Sequence, residues 1–539
     1  MTLKHRVSVV AANSEFPNEQ LEGGAASFDF EDLEKTPTDT VKTIPYEYTS
    51  EEEQTDEAYV VETKLAFFNK LSARLGAEQN GIERIEDAEK TDDSIVNATT
   101  MWFSANMVIA SYALGGLGPL AYNLNFGTSA LVIVFFTLLG VSPVAFFSLF
   151  GVEFGLRQMI LSRFMLGNIT ARIFALINVI ACIGWVIVNT IASAQLLNMV
   201  NSPNNIPLWA AFLVIVIGTV LVTFFGYKMI HKYEKYSWIS NFAVFLVIIA
   251  RLKKSGNFSN GPWTSGPTTA GNVLSFGSAV FGYTAGWTTY AADYTVYMPK
   301  SINKVKVFFC LLTGLAVPLF FTMIIGAAVA NGCVNNEEWY AYYEQNNMGG
   351  ATFAVLVPNS LHGFGEFCCV LLAMSTIANN VPNMYSIALS AQALWSPFAK
   401  VPRAAWTVFG NAVALAVGIP ACYYFDGFME YFMNSIAYYL AIYSAIAFPE
   451  HFIFRKGFKG YQPENWDDWN KMPIGYAGTA AFFVGAFGVA LGMCQSYWIG
   501  EIARLIGDDG GDIGFELGAC WATIVYIILR PLEIKYTGR

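Results

Sequence analysis

Gly115-Gly-Leu-Gly-Pro119 sits inside one apolar run, near residues 101–124, and Gly282-Tyr-Thr-Ala-Gly286 sits inside another, near 271–294. Glycine and proline let a chain leave helical geometry. An apolar run of about 20 residues is the length of a helix that crosses a bilayer. Two interrupted helices five spans apart are the pattern of an inverted-repeat transporter, whose broken backbone faces a solute at mid-membrane depth. The competing reading of either run is close helix packing through small residues. Recurrence in corresponding spans, once beside Trp287, favours the break.

Working outward gives about twelve spans, near 101–124, 128–150, 173–199, 207–227, 237–252, 271–294, 307–331, 364–394, 404–422, 426–448, 473–496 and 514–530. The expected fold class is an all-α integral membrane protein. Its transmembrane domain covers 100–530, and 531–539 form a short cytoplasmic C-terminus. Composition agrees, with 54% of residues apolar and 13% charged. The charges are segregated: 22 of the 41 acidic residues fall in the first 99 positions. Residues 1–99 read as a disordered acidic cytoplasmic tail, too polar to build a core. The net charge of −10 describes that tail and points to no nucleic-acid partner. No apolar stretch opens the chain, so no cleaved signal peptide is expected.

Lys and Arg set the orientation. With the N-terminus inside, inner loops hold Arg157, Arg163, Arg172, Lys228, Lys232, Lys235, Lys300, Lys304, Lys306, Arg455, Lys456 and Lys459. Outer loops hold only Arg251, Lys253, Lys254 and Arg504. This is the positive-inside pattern, with the Arg251–Lys254 cluster as its exception. The eight cysteines form no CxxC pair and no cluster with His, so neither a metal site nor a disulfide framework is expected. Asp293, Glu366, Asp426, Glu430 and Glu516 sit near span ends and read as caps or snorkelling groups. No phosphate loop, nucleophile–His–acid arrangement or dinucleotide fingerprint is present, so the chain does not read as an enzyme.

Planar and amide side chains occupy the spans. Trp185 and Asn189 are four apart and share a helix face. Trp287 follows Gly286. Thr376-Ile-Ala-Asn-Asn-Val-Pro-Asn383 predicts a break at Pro382 beside Asn379, Asn380 and Asn383. Ser111 precedes the first glycine run. Buried amides without partners are costly, so these groups suggest a pocket for a flat, neutral, hydrogen-bonding solute. An amide offers a donor and an acceptor on adjacent atoms, matching an amidine or lactam edge. Stacking on an indole is worth roughly 1–3 kcal/mol by analogy with nucleobases.

Four runs carry a family resemblance: Met101-Trp-Phe-Ser-Ala-Asn-Met-Val-Ile-Ala-Ser111, Gly184-Trp-Val-Ile-Val-Asn189, Ala285-Gly-Trp-Thr-Thr-Tyr-Ala-Ala-Asp-Tyr294 and Thr376–Asn383. From about residue 90 to the C-terminus the chain resembles the fungal purine–cytosine permeases, the cytosine/purine branch of the nucleobase–cation symporter-1 family. The resemblance implies a five-plus-five inverted repeat, leucine-transporter-like, with two extra C-terminal helices. It implies that Trp185 and Trp287 sandwich a base, that Asn189 and Asn383 bond its edge, and that Ser111 contacts it. Asn379, Asn380 and Pro382 fall in the family's specificity segment. In the family's sodium-coupled hydantoin member, a Ser-Thr pair binds the ion. Here Ile377 and Ala378 stand at those positions and offer no side-chain oxygen. The expectation is proton-coupled import of cytosine, adenine, guanine and hypoxanthine at the plasma membrane, with both termini cytoplasmic and no cofactor. The implied partners are nucleobases, the lipid bilayer and trafficking or ubiquitin machinery acting on the tail. A vitamin B6 carrier and a nutrient receptor that has lost transport remain alternatives.

Overall fold

A computed structural model describes residues 81–539 except 93, 202–203, 225–226, 361 and 424–427. The described residues lie in one compact unit. The expected disorder of residues 1–80 lies outside them. The helices are α1 (Ile95–Asn106), α2 (Ile109–Leu120), α3 (Phe126–Phe154), α4 (Gln158–Leu166), α5 (Asn168–Met199), α6 (Leu208–Phe224), α7 (Tyr227–Ser255) and α8 (Pro267–Ala285). After a 3-10 turn at Thr288–Tyr294 come α9 (Lys304–Val334), α10 (Glu337–Leu356), α11 (Phe364–Ala373), α12 (Thr376–Leu394), α13 (Arg403–Ala421), α14 (Phe428–Pro449), α15 (Tyr476–Gly492) and α16 (Gly514–Thr537). A two-residue hairpin, β1 (Cys494–Gln495) with β2 (Trp498–Ile499), joins α15 to α16.

Each of the twelve predicted spans meets a helix or a broken pair of helices. Among the described residues, eight helical segments are long and apolar enough to cross a membrane by length and composition. The first span is α1 plus α2, the sixth is α8 plus the 3-10 turn, and the eighth is α11 plus α12. Two helices fall in predicted loops. α4 starts where the Asp293 carboxylate accepts from the Gln158 backbone N–H at 2.7 Å. α10 starts where Asn336 caps Trp339 N–H at 2.9 Å.

The break positions need correcting. Gly115, Gly116 and Gly118 lie within α2, which is helical throughout. A Cβ on Gly115 would overlap the Met323 carbonyl oxygen, and one on Gly326 would overlap that of Tyr112. These glycines therefore bring α2 and α9 together, the close-packing role. The first span instead breaks at Met107 (ψ 59°) and Val108 (φ −134°, ψ 161°). Likewise α12 runs through Pro382, and the eighth span turns at Met374–Ser375. The sixth span does break where expected, at Gly286 and Trp287. The glycine device still carries the repeat. A Cβ on Gly140 of α3 would meet Thr284 of α8, and one on Gly277 of α8 would meet Phe136 of α3. Spans one and seven thus pack as spans six and two do, the pairing that a five-span repeat exchanges.

Both ends of the membrane domain also differ from expectation. Residues 81–92 and 94–99 are ordered: Ile85 is buried, Lys90 Nζ reaches the Val152 carbonyl at 3.1 Å, and Arg84 Nε reaches that of Phe154 at 3.1 Å. These apolar and carbonyl-seeking side chains pin the segment to the end of α3. At the other end α16 continues to Thr537, across most of the predicted 531–539 tail. Arg530 pairs both its Nε and Nη2 with buried Glu450 at 3.0 and 3.1 Å. Glu533 accepts from the Gly475 and Tyr476 N–H groups at 2.7 and 3.0 Å, capping α15. The exceptional Arg251 has a structural account too. It donates to the carbonyls of Val355, Pro358 and Asn359, the unpaired end of α10.

Candidate functional site

The break in the first span removes the helical hydrogen bonds that would cross it, between the bond from Met107 N–H to Phe103 and that from Tyr112 N–H to Val108; one of those lost runs from Ile109 N–H to the Ala105 carbonyl. Two side chains one turn apart on the eighth span replace it. Ser375 Oγ accepts from Ile109 N–H at 3.0 Å. Asn379 Nδ2 donates to the Ala105 carbonyl at 2.7 Å. Asn241 of α7 donates to the Met107 carbonyl at 2.9 Å. All three side chains are buried. Unpaired backbone groups are thus satisfied by neutral side chains from two other spans.

This stitch fixes the amides around it. A carbonyl only accepts, so Asn379 must point its Nδ2 at Ala105 and its Oδ1 away. That Oδ1 accepts from Asn189 Nδ2 at 2.7 Å and from Asn383 Nδ2 at 3.2 Å. Asn189 Nδ2 also donates to Asn380 Oδ1 at 3.2 Å, and Asn380 Nδ2 donates to the Thr190 hydroxyl at 3.1 Å. Asn189 is therefore held with its Oδ1 outward, fully buried and without a partner. Asn383 is satisfied at both ends, since its Oδ1 accepts from the Tyr290 hydroxyl at 2.8 Å and its Nδ2 reaches the Asn379 carbonyl at 2.9 Å. Pro382 contributes its carbonyl to the Tyr294 hydroxyl at 3.1 Å.

The aromatic groups lie against this network. Trp185 packs edge-on to Tyr283 and Phe432, each with ring centres 5.3 Å away, and its Nε1 is buried without a partner. A Cβ on Gly286 would sit 2.6 Å from the Trp185 ring, so this glycine gives the indole its place. Trp287 meets Trp102 at 5.0 Å and Tyr290 at 5.6 Å, both edge-on, and donates from Nε1 to Asn106 Oδ1 at 3.2 Å. Ser111 bonds across to the Tyr283 hydroxyl at 2.8 Å instead of to its own helix. The structure thus gathers Ser111, Trp185, Asn189, Gly286, Trp287, Asn379, Asn380, Pro382 and Asn383 around the breaks. Gly115 stands apart, in the α2–α9 contact. Trp102, Asn106, Tyr283, Tyr290 and Phe432 join the site although the sequence reading passed over them. One signal was available: Trp102 and Asn106 repeat the four-residue spacing of Trp185 and Asn189.

Residues 84–500 match the family of permeases for cytosine/purines, uracil, thiamine and allantoin. The chain belongs to this cytosine/purine permease family. It is 64% identical over 512 residues to the purine-cytosine permease FCY21 of Saccharomyces cerevisiae, covering 95% of this chain and 97% of that one. It is 47% identical over 522 residues to the purine-cytosine permease fcyB of Emericella nidulans, covering 96% and 100%. Among solved structures it resembles Mhp1, a nucleobase-cation-symport-1 family transporter, in a closed conformation with bromovinylhydantoin bound. The TM-score is 0.65 at 13% identity, covering 86% of this chain and 96% of that one. This likeness speaks to the fold, an all-α membrane transporter. Family membership makes the chain a transporter and not an enzyme.

Proposed function

We propose that this permease imports cytosine, adenine, guanine and hypoxanthine across the fungal plasma membrane, by proton symport with alternating access. Both termini face the cytoplasm, and residues 1–80 carry the sites that trafficking or ubiquitin machinery reads. The base lies between Trp185 and Trp287 with its polar edge toward Asn189. Asn383 exchanges its Tyr290 bond for the base, and Ser111 with Tyr283 bounds the pocket. Asn379, Asn380 and Pro382 act on choice of base by setting how the other amides point.

One observation carries this reading. Asn189 Oδ1 and Trp185 Nε1 are a buried acceptor and a buried donor on one helix face, both unpartnered. Each such group costs about 1–3 kcal/mol while unpaired. A neutral planar solute stacked on the Trp185 ring removes the cost at Asn189 by donating an N–H from its edge to Oδ1; the indole N–H lies in the ring plane and is outside the reach of a stacked solute. Proton coupling is favoured over sodium because the Ala105 and Met107 carbonyls already accept from neutral amides, and because Ile377 turns its side chain against Gly218. Uptake of radiolabelled cytosine in cells lacking their own permease tests the proposal. Unlabelled bases and pyridoxine serve as competitors at two external pH values. Competition by the four bases, with faster uptake at acidic pH, is the expected result. Competition by pyridoxine alone would move the substrate to the vitamin B6 class.

A further inference from the structure

We propose that Glu430 is a proton-operated latch on the external side of the site, taking up a proton from outside as the site closes. This rests on the transporter reading and orientation above. Glu430 lies in the first turn of α14, whose neighbouring residues cover the site. Phe432 packs on Trp185, and a Cβ on Gly282 of α8 would overlap the Met433 carbonyl oxygen. The Tyr122 hydroxyl, just beyond α2, donates to Glu430 Oε1 at 2.8 Å. That bond ties α2 and its neighbour α9 to α14 and its neighbour α8.

The surroundings of Glu430 suit a neutral acid better than a carboxylate. The titratable groups facing it are Tyr122 from the end of α2, Asp512 ahead of α16 and Cys494 of β1. None of them is a cation, and among the described residues no Lys, Arg or His pairs with it. Asp512 accepts from Tyr438, Gln495 Nε2, Cys494 N–H and Gly514 N–H, whereas Glu430 accepts one bond. A half-buried carboxylate with no cation beside it is disfavoured, and a second acid of like sign adds to that. The second observation is Asn434, one turn further along the same face. It is fully buried with its side chain directed at the Tyr122 hydroxyl, and its Oδ1 accepts no hydrogen bond. Protonated Glu430 supplies what is missing. It keeps accepting from Tyr122 and gives its new O–H to Asn434 Oδ1. When the external side opens, water solvates the carboxylate and the proton leaves it.

The sign follows directly. The closed form binds the proton more tightly than the open form, so closure over substrate is favoured at low external pH and weakens as pH rises. The test is the external half-saturation concentration for radiolabelled cytosine across a pH series, with surface protein measured in parallel. In the wild type it should rise with pH, by roughly tenfold per pH unit at most, the limit for one linked proton. Glu430→Gln holds the neutral form permanently and should flatten that rise. Tyr122→Phe removes the latch's donor and keeps its acid, so half-saturation should be higher at every pH with the rise retained. If Glu430→Gln reaches too little surface density, the same comparison uses cytosine-dependent thermal stabilisation of the purified proteins. A Glu430→Gln profile that still rises like the wild type would overturn the latch alone. Absence of cytosine uptake by the wild type would instead sink the transport reading.

Discussion

Ser375 and Asn379 each replace one half of the same missing backbone bond, one of those lost at the break, so their effects on stability should not add. Asn379→Ala leaves the Ala105 carbonyl buried without a donor, at a cost of about 1–3 kcal/mol. It also removes two bonds to Asn189 and Asn383, each of which keeps a second acceptor in Asn380 Oδ1 or the Asn379 carbonyl. The net loss should be roughly 2–5 kcal/mol. Ser375→Ala orphans Ile109 N–H in the same way, at about 1–3 kcal/mol. In the double variant both orphans belong to the same i, i+4 pair and can bond each other if the break heals into helix. The double variant should then lie above the sum of the singles by about 1–3 kcal/mol, well outside the roughly 0.5 kcal/mol within which independent sites add. Transport should be lost in it, because the healed backbone no longer bends around the site. The assay is thermal unfolding of the fluorescently tagged, detergent-solubilised variants beside cytosine uptake. Additive losses, or a stable double variant that still transports, would refute the idea that these side chains stand in for one helical bond.

Other outcomes follow from the same geometry. Trp287→Ala should abolish measurable cytosine binding, whereas Trp287→Phe should keep part of it, a stacking loss on the order of 1–3 kcal/mol; wild-type uptake by the Ala variant at normal surface density would exclude a stacking wall there. Gly115→Val places methyl groups into the Met323 carbonyl and should cost at least about 1–3 kcal/mol of overpacking, read as low surface expression; normal expression would contradict the close α2–α9 contact. Replacing external sodium with choline should leave uptake nearly unchanged while a protonophore collapses it, and a strict sodium requirement would reverse the coupling proposal. Of the three Asn-x-Ser/Thr sequons, at Asn97, Asn168 and Asn257, only Asn257 should accept a glycan or an external label; modification at Asn97 or Asn168 would invert the orientation.

The spans were legible because twenty-residue apolar runs between charged loops leave few alternatives in a chain of this composition. The site residues were legible for a related reason, since indoles and amides inside such runs have no use in lipid. The breaks in the first and eighth spans were not. Met107-Val108 and Met374-Ser375 carry no glycine or proline, and local propensity says nothing there. What holds the first break open is the supply of Ser375, Asn379 and Asn241 from distant spans, and a single sequence does not show which of them meet. Gly115 and Pro382 were the obvious breakers, yet a glycine inside a membrane helix can equally admit a neighbour's backbone. Asn106 and Trp102 lie before the break at Met107-Val108, about two turns or more from the glycine run, so a break placed at that run leaves them away from the site.

That displacement changes how the specificity segment should be understood. Had the eighth span broken at Pro382, Asn383 would sit at a helix end with its amide free to meet the base directly. In the intact α12 it is bonded at both ends, and the free acceptor belongs to Asn189 on α5. Which atom Asn189 presents is decided through Asn379 by the Ala105 carbonyl, a group that can only accept. The stitch that keeps the first span bent therefore also sets which atom of the Asn189 amide is left unbonded. A substitution at Asn379 leaves Asn380 Oδ1 alone to hold the Asn189 amide, and on the proposed reading this looser amide changes which bases are accepted without touching any of them. On the proposed reading, specificity and the helix break rest on one hydrogen-bond chain, running from Ala105 through Asn379 to Asn189.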